Sequence, residues 1–350
     1  MKTKSLHILT CLLLMLLTGC RNEEPVGESQ PEERMVNVSL GITTRADDVN
    51  TSDIPDVLYL WIFDGADCLS FTQLKNPQFS GVDIQGNPVQ TVDVQLLTTN
   101  GTQLKFYVVL NNVKDEDGSP VQFDASTSLA SLENLPFTLG TYGSDNKVPM
   151  SGTADLTIES TSNDYRVEVP AERAVAKLEL FITKNTPGSN LQITGITLSN
   201  NPETGILFRN KEFSPTISEP ATNLIGDNDI NITASLSEAD APGSDDLHLF
   251  EGDESKLQKI TLTNPYLLEN PWGDDKIYLG DGSTSITDSR YYITLNYTLG
   301  GSPVSKKIYL TEIERNTLNK VFIRIKETVF DIEVSYSVKD WEMEVLTPEF

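Results

Sequence analysis

A thiol that follows small residues and a short apolar run can accept a lipid, and Leu17-Thr18-Gly19-Cys20 has that arrangement. Lys2 and Lys4 make a basic start, and Leu6 to Leu17 is apolar but too short to span a bilayer as a permanent helix. Thr18 and Gly19 let signal peptidase II approach the backbone, after which the sulfur of Cys20 takes a diacylglycerol. This predicts export and a lipid anchor to the outer membrane of a Gram-negative cell. A second reactive bond is Arg45-Ala46, a single basic residue in the polar stretch Thr44-Arg45-Ala46-Asp47-Asp48, where a trypsin-like protease can cut.

Other chemistry is poorly provided for. Beyond the leader the only histidine is His248, so a His-rich zinc site is excluded and a Ser-His-Asp triad would depend on that residue. Ser144-Asp145-Asn146-Lys147 overlaps two motifs of penicillin-recognising enzymes but lacks their separate third element, and after Gly143 it reads as a turn. Asp115-Glu116-Asp117-Gly118 and Asp227-Asn228-Asp229 look slightly like calcium loops, yet neither combines a glutamate at loop position twelve with the usual glycine, and both read as solvated turns. No cofactor is implied and an enzyme is not expected. A formal charge of −25 excludes nucleic acid as a partner. Trp61, Trp272 and Trp341 are the aromatics that could stack on a glycan; Trp61 lies in a buried-strand pattern, and Trp272 follows Pro271 in a loop. Of the three cysteines, Cys11 leaves with the leader and Cys20 is acylated, so Cys68 stands alone and stability must come from packed cores.

The elements that would position these residues are strands. Residues 21–34 are polar, acidic and proline-bearing and read as a tether. Val36, Val38, Leu40 and Ile42 then alternate with polar or small residues, the period of a half-buried strand. Val57 to Phe63 and Leu104 to Leu110 are apolar on both faces and predict central strands. Tyr291-Ile293-Leu295-Tyr297-Leu299 alternates cleanly, and Val321-Ile323-Ile325 and Ile332-Val334-Tyr336-Val338 follow. Helical spacing is confined to Leu129, Leu132 and Leu135 after Ser128. The expectation is an all-β protein of two sandwich domains meeting near Pro170 to Arg173, with a minor helix.

This arrangement gives Arg45 a mechanical meaning. Cleavage there cuts the covalent link between the Val36–Ile42 strand and its domain. Loss of that strand would expose an apolar groove with unpaired sheet edges, a template for another strand. The chain end offers a filler, since Trp341, Met343 and Val345 alternate again after Ile332, Val334, Tyr336 and Val338. A plain last strand with a frayed tail fits the same pattern.

With these residues assembled, the chain resembles the fimbrillin family, the subunits of type V pili. The likeness rests on the lipidation motif and tether, on Val36 to Ala46, and on Val57-Leu58-Tyr59-Leu60-Trp61-Ile62-Phe63-Asp64. It continues through Phe106 to Asn111, Val148-Pro149-Met150-Ser151-Gly152, Glu172 to Leu178, Arg315-Asn316, Asn319 to Ile323 and Val338-Lys339-Asp340-Trp341. The resemblance implies two tandem transthyretin-like, Greek-key β-sandwich domains. It implies a signal peptide over 1–19, a tether and first strand over 20–45 removed by an arginine-specific surface protease, and domains over 46–170 and 171–350. It further implies polymerisation through a C-terminal donor strand, other pilus subunits as partners, and a place in the fimbrium at the cell surface. A shaft role is favoured over an anchor or tip. A monomeric glycan-binding surface lipoprotein remains the alternative, and it requires an intact Arg45-Ala46 bond.

Overall fold

A computed structural model describes residues 33–44, 55–79, 81–82, 88–142, 147–202, 204–209, 221–237, 256–269, 291–326 and 331–340. Its first half contains nine strands. They are β1 (Glu33–Thr44), β2 (Val57–Asp64), β3 (Asp67–Lys75), β4 (Gly81–Val82), β5 (Pro88–Thr99), β6 (Gln103–Leu110), β7 (Pro136–Thr138), β8 (Met150–Thr157) and β9 (Asp164–Arg173). Eight of them form one hydrogen-bonded path in the order β3-β2-β6-β8-β9-β1-β5-β4.

That path bends between β8 and β9, which pair at only Met150–Arg173 and Ser151–Glu172. A Cβ added at Gly152 would stand 2.4 Å from the Pro170 carbonyl oxygen, so only glycine lets the two strands meet there. The bend folds β3-β2-β6-β8 over β9-β1-β5-β4, and the inner faces enclose one core. Leu58, Leu60, Ile62, Leu104, Phe106 and Val108 from one layer meet Val36, Val38, Leu40, Ile42, Val92 and Val169 from the other.

The outer face of β2 is buried as well, which is why Val57 to Phe63 carries no alternation. Tyr59, Trp61 and Phe63 lie in a second core with Leu132, Phe137, Tyr142 and Val148 and with Leu207, Phe208, Tyr266 and Leu268 of the second half. Trp61 is fully enclosed, and its indole N–H donates to the Asp124 carbonyl at 3.0 Å. Helix α1 (Leu129–Glu133) belongs to this cover. Ser128 caps it by accepting the Ser131 N–H at 3.2 Å, and Leu132 is its buried residue. Leu135, expected on the helix, lies just beyond it and packs on the same core.

The second half holds β10 (Ala176–Lys184), β11 (Leu191–Ser199), β12 (Thr204–Ile206), β13 (Thr222–Asn223), β14 (Ile230–Asn231), β15 (Gln258–Ile260), β16 (Tyr266–Leu267), β17 (Tyr292–Leu299), β18 (Ser302–Tyr309), β19 (Thr317–Lys326) and β20 (Asp331–Asp340). One sheet runs β15-β10-β19-β20 with β16 beside β10, the other β13-β11-β17-β18 with β14 beside β11. Leu178, Leu180, Ile182, Val321 and Ile323 face Ile193, Ile196, Ile293, Leu295 and Tyr297 across a single core. Only one short α-helix occurs among the described residues, and the protein is an all-β sandwich structure.

The halves are joined by more than the chain. β12 pairs with β7, setting Thr204 opposite Thr138 and Ile206 opposite Pro136. Ser151 Oγ of β8 donates to the Leu207 carbonyl at 2.7 Å, and the buried Arg315 guanidinium, held by Glu269 at 2.8 Å, donates to the same carbonyl at 2.9 Å. Asn316, in the left-handed region at φ 59°, donates its N–H to the Val175 carbonyl at 2.9 Å and accepts that of Arg173 at 3.2 Å.

Candidate functional site

β1 begins earlier than its alternation predicts. Glu33 and Arg34, expected to belong to the tether, are in the strand, and so is Thr44 at its end. The reason lies in the loop that Arg34 meets. Its guanidinium donates to the Asn163 side-chain oxygen at 2.9 Å, the Tyr165 hydroxyl at 3.1 Å, the Ser160 carbonyl at 3.4 Å and the Glu159 carbonyl. Charge-assisted hydrogen bonds of this kind extend the ordered strand past its last buried apolar side chain. Sequence reading passed over Arg34; the one signal available was its place two residues before Val36, on the same face as the alternating apolar set.

The strand is central in its sheet. It runs antiparallel to β5, from Glu33 opposite Thr99 to Thr43 opposite Val89, and parallel to β9, from Asn37 opposite Asp164 to Thr44 opposite Ala171. Val36, Val38, Leu40 and Ile42 are 0%, 1%, 0% and 0% exposed. At ~1.5–3 kcal/mol for each side chain, they contribute roughly 6–12 kcal/mol, comparable to the net stability of a whole domain. On the outer face Asn37 donates to Asp164 at 2.7 Å and accepts from Gln95 at 3.0 Å, and Met35 lies opposite Leu97, both exposed.

Among the described residues, without β1, β5 would keep only the short β4 as a neighbour and β9 only the two pairs at the β8 corner. What remains is a trough floored by the inner face of β2 and β6 and walled by two unpaired edges, able to take one extended segment.

At the other end of the chain, Ile332, Val334, Tyr336 and Val338 lie in β20, which pairs with β19 along its whole length and stands at the sheet's edge. Ile332, Val334 and Tyr336 pack on the second-half core, while Val338 is 49% exposed. The Tyr336 hydroxyl donates to the Tyr309 carbonyl at 2.6 Å, tying the two sheets, and burial pushes its phenol pKa up. Glu333, on the opposite face, accepts from Arg324 Nε at 2.5 Å and also pairs with Lys326. The Arg324 side chain is 2% exposed, so that carboxylate neutralises a buried cation. β1 and β20 therefore belong to different sheets of the molecule. Cys20, Arg45, Ala46, Trp341, Met343 and Val345 lie outside the described residues, as do His248, Trp272 and Ser144 to Asn146.

A cavity of about 520 Å³ opens where the halves meet, lined among others by Tyr107, Glu133, Ser151, Glu172, Phe208 and Arg209. Its charges are matched within the protein. Arg209 grips Glu172 at 2.6 and 3.3 Å, and Tyr107 donates to Glu133 at 2.7 Å. Burial, and then Glu133, push the Tyr107 phenol pKa up. Asp115 closes its own turn by accepting the N–H groups of Asp117 and Ser119 at 3.0 and 2.9 Å. No cluster of His, Cys, Asp or Glu suited to a metal occurs among the described residues.

No family model matches the chain, and no curated protein matches it. Solved structures do. The tip fimbrial protein Mfa3 of Porphyromonas gingivalis, with a C-terminal truncation, superposes with a TM-score of 0.53 over 87% of this chain and 100% of its own, at 16% identity. This is the fold of bacterial fimbrial proteins. A fimbrilin of the same organism superposes at 0.50 over 88% and 98%, at 13% identity. A protein of Parabacteroides distasonis assigned to cell adhesion does so at 0.52 over 89% and 98%, at 14% identity. At these identities the likeness is one of fold.

Proposed function

We propose that the chain is a fimbrial subunit of the fimbrillin family that polymerises by strand exchange at the cell surface. The observation that carries this reading is the position of β1, a central strand with two partners. Such a strand is fully folded into its domain, yet its chain continues straight into Thr44-Arg45-Ala46. One cut after Arg45 leaves it held by noncovalent contacts alone, and its departure opens a groove for the C-terminal segment of a second copy. Acylation at Cys20 would hold the precursor, and the cut piece, at the outer membrane. The chain then divides into a signal peptide over 1–19, a removed segment over 20–45, and two domains parted after β9, so that the expected boundary at 170 moves to Arg173. The fimbrial proteins that share the fold support the reading, as does the groove geometry. A shaft role fits best, because the sequence carries both a basic residue after its first strand and residues 342–350 beyond the Trp341 motif.

Limited digestion of lipid-free precursor with a trypsin-like protease tests this, followed by intact mass and native size. A product beginning at Ala46 with a ladder of stable oligomers is the expected result. A resistant Arg45-Ala46 bond and a lasting monomer would defeat the proposal and favour an anchor subunit or a glycan-binding lipoprotein.

A further inference from the structure

The oxygens that hold Arg34 form a small built site. Two backbone carbonyls, an amide oxygen and a phenol converge on one cation at the mouth of the β1 groove. Besides the Asn37 N–H of β1, which donates to the Asn163 carbonyl at 2.7 Å and which the main chain of any incoming strand can replace, the loop is held by contacts of its own. The Tyr165 hydroxyl accepts the Glu159 N–H and bonds the Ser162 carbonyl, both at 2.9 Å, and Ser162 Oγ donates to the Asp164 carbonyl at 2.7 Å. When β1 leaves, the cradle remains as an acceptor site with no cation. We infer that this cradle reads the register of whichever strand fills the groove, taking Arg34 before cleavage and Lys339 of a second copy afterwards. The inference rests on the strand-exchange reading above.

The occupant follows from spacing. In β1 the cation stands two residues before the first inward apolar side chain: Arg34, Val36, Val38, Leu40, Ile42. The C-terminal sequence repeats that order as Lys339, Trp341, Met343, Val345, Thr347, with Pro348 next, where β1 is about to end. The competing alignment, which lays Ile332, Val334, Tyr336 and Val338 on the same four sites, puts Phe330 in the cradle and leaves its oxygens without a donor. It also strips Glu333 from the buried Arg324 and breaks the Tyr336–Tyr309 bond. Placing Lys326 in the cradle instead would put Thr328 at the Val36 site. Lysine suits the cradle in one further respect. Arg34 Nε is buried without a hydrogen-bond partner, and an ammonium has no equivalent atom to leave stranded. Lys339 is exposed at the penultimate position of β20, so the chain can part from β19 there while Ile332 to Tyr336 stay on their core.

The register makes a covalent prediction. Asn37 lies opposite Gln95, so Glu342 of the incoming copy should lie opposite Gln95. In the competing register that place belongs to Glu333. The full chain carrying Cys68→Ser is cleaved and allowed to polymerise with Gln95→Cys combined with either Glu342→Cys or Glu333→Cys. A reducible ladder of linked subunits is expected from the first pair and not the second. Lys339→Met should slow assembly roughly 10-fold, the loss of a charged hydrogen-bonded contact, and Lys339→Arg should restore it. Linking through position 333, or Lys339→Met assembling at the parent rate, would overturn the inference and leave strand exchange standing. Failure of the cleaved parent chain to polymerise at all would remove both.

Discussion

β1 and β20 have nearly the same sequence signature, four apolar residues at alternate positions, and quite different roles in the fold. β1 has a partner on each side, and the four residues of its inward face are at most 1% exposed. Among the described residues β20 has a partner on one side, and its apolar residues are only partly covered. Removing β1 would split a sheet and open a core, whereas removing β20 would shorten a sheet by its last strand. A strand that serves as a removable plug must be of the first kind, because only a central strand leaves two edges and a floor for its replacement.

The strongest way to break this contrast is deletion. A chain lacking residues 20–45 should give no stable folded monomer, while one ending at residue 330 should fold with a lowered melting temperature, both followed by circular dichroism. Equal stability of the two would remove the distinction. Charge insertion should grade the same contrast more finely. Val38→Asp or Leu40→Asp is expected to destabilise the precursor by more than ~4 kcal/mol, since the carboxylate cannot reach water. Val334→Asp, at a half-buried edge position, should cost clearly less in a urea titration.

Smaller effects test what holds β20 in place. Glu333→Gln should lose ~1.5–3 kcal/mol, because Arg324 stays buried with a weaker acceptor. No change in the denaturation midpoint would mean that the Glu333–Arg324 pair does not help to hold β20. Tyr336→Phe should lose only ~0.5–1.5 kcal/mol with the bond to Tyr309. The folded protein holds the Tyr336 proton more tightly than the unfolded chain, whose phenol titrates near 10.0. Its contribution is therefore complete below that pH and is lost as the pH rises through the folded value. The variant should show a shallower loss of stability above pH 10 than the parent.

Much of the local structure was legible. Strand alternation at Val36 to Ile42 and Tyr291 to Leu299, the continuous run at Val57 to Phe63 and the cap at Ser128 all depend on neighbours within a few residues, and the structure has an element at each. Arg34 was not legible, because its acceptors lie more than a hundred positions away in the sequence and include main-chain carbonyls, which leave no mark on residue type. The need for glycine at position 152 was hidden for the same reason, since the obstructing atom is the Pro170 carbonyl of a different strand.

The sequence by itself determined that the chain is built of strands, where several of the long apolar ones lie, and which face of each alternating one turns inward. Period and side-chain volume act locally and leave little choice. Only the tertiary structure decided that β1 lies between β5 and β9 and that β20 lies at an edge. Hydrogen bonding between strands is carried by a backbone that is the same at every residue, so partners are selected by the global packing of two sheets. That selection, invisible to period, makes one alternating strand a plug and the other a border.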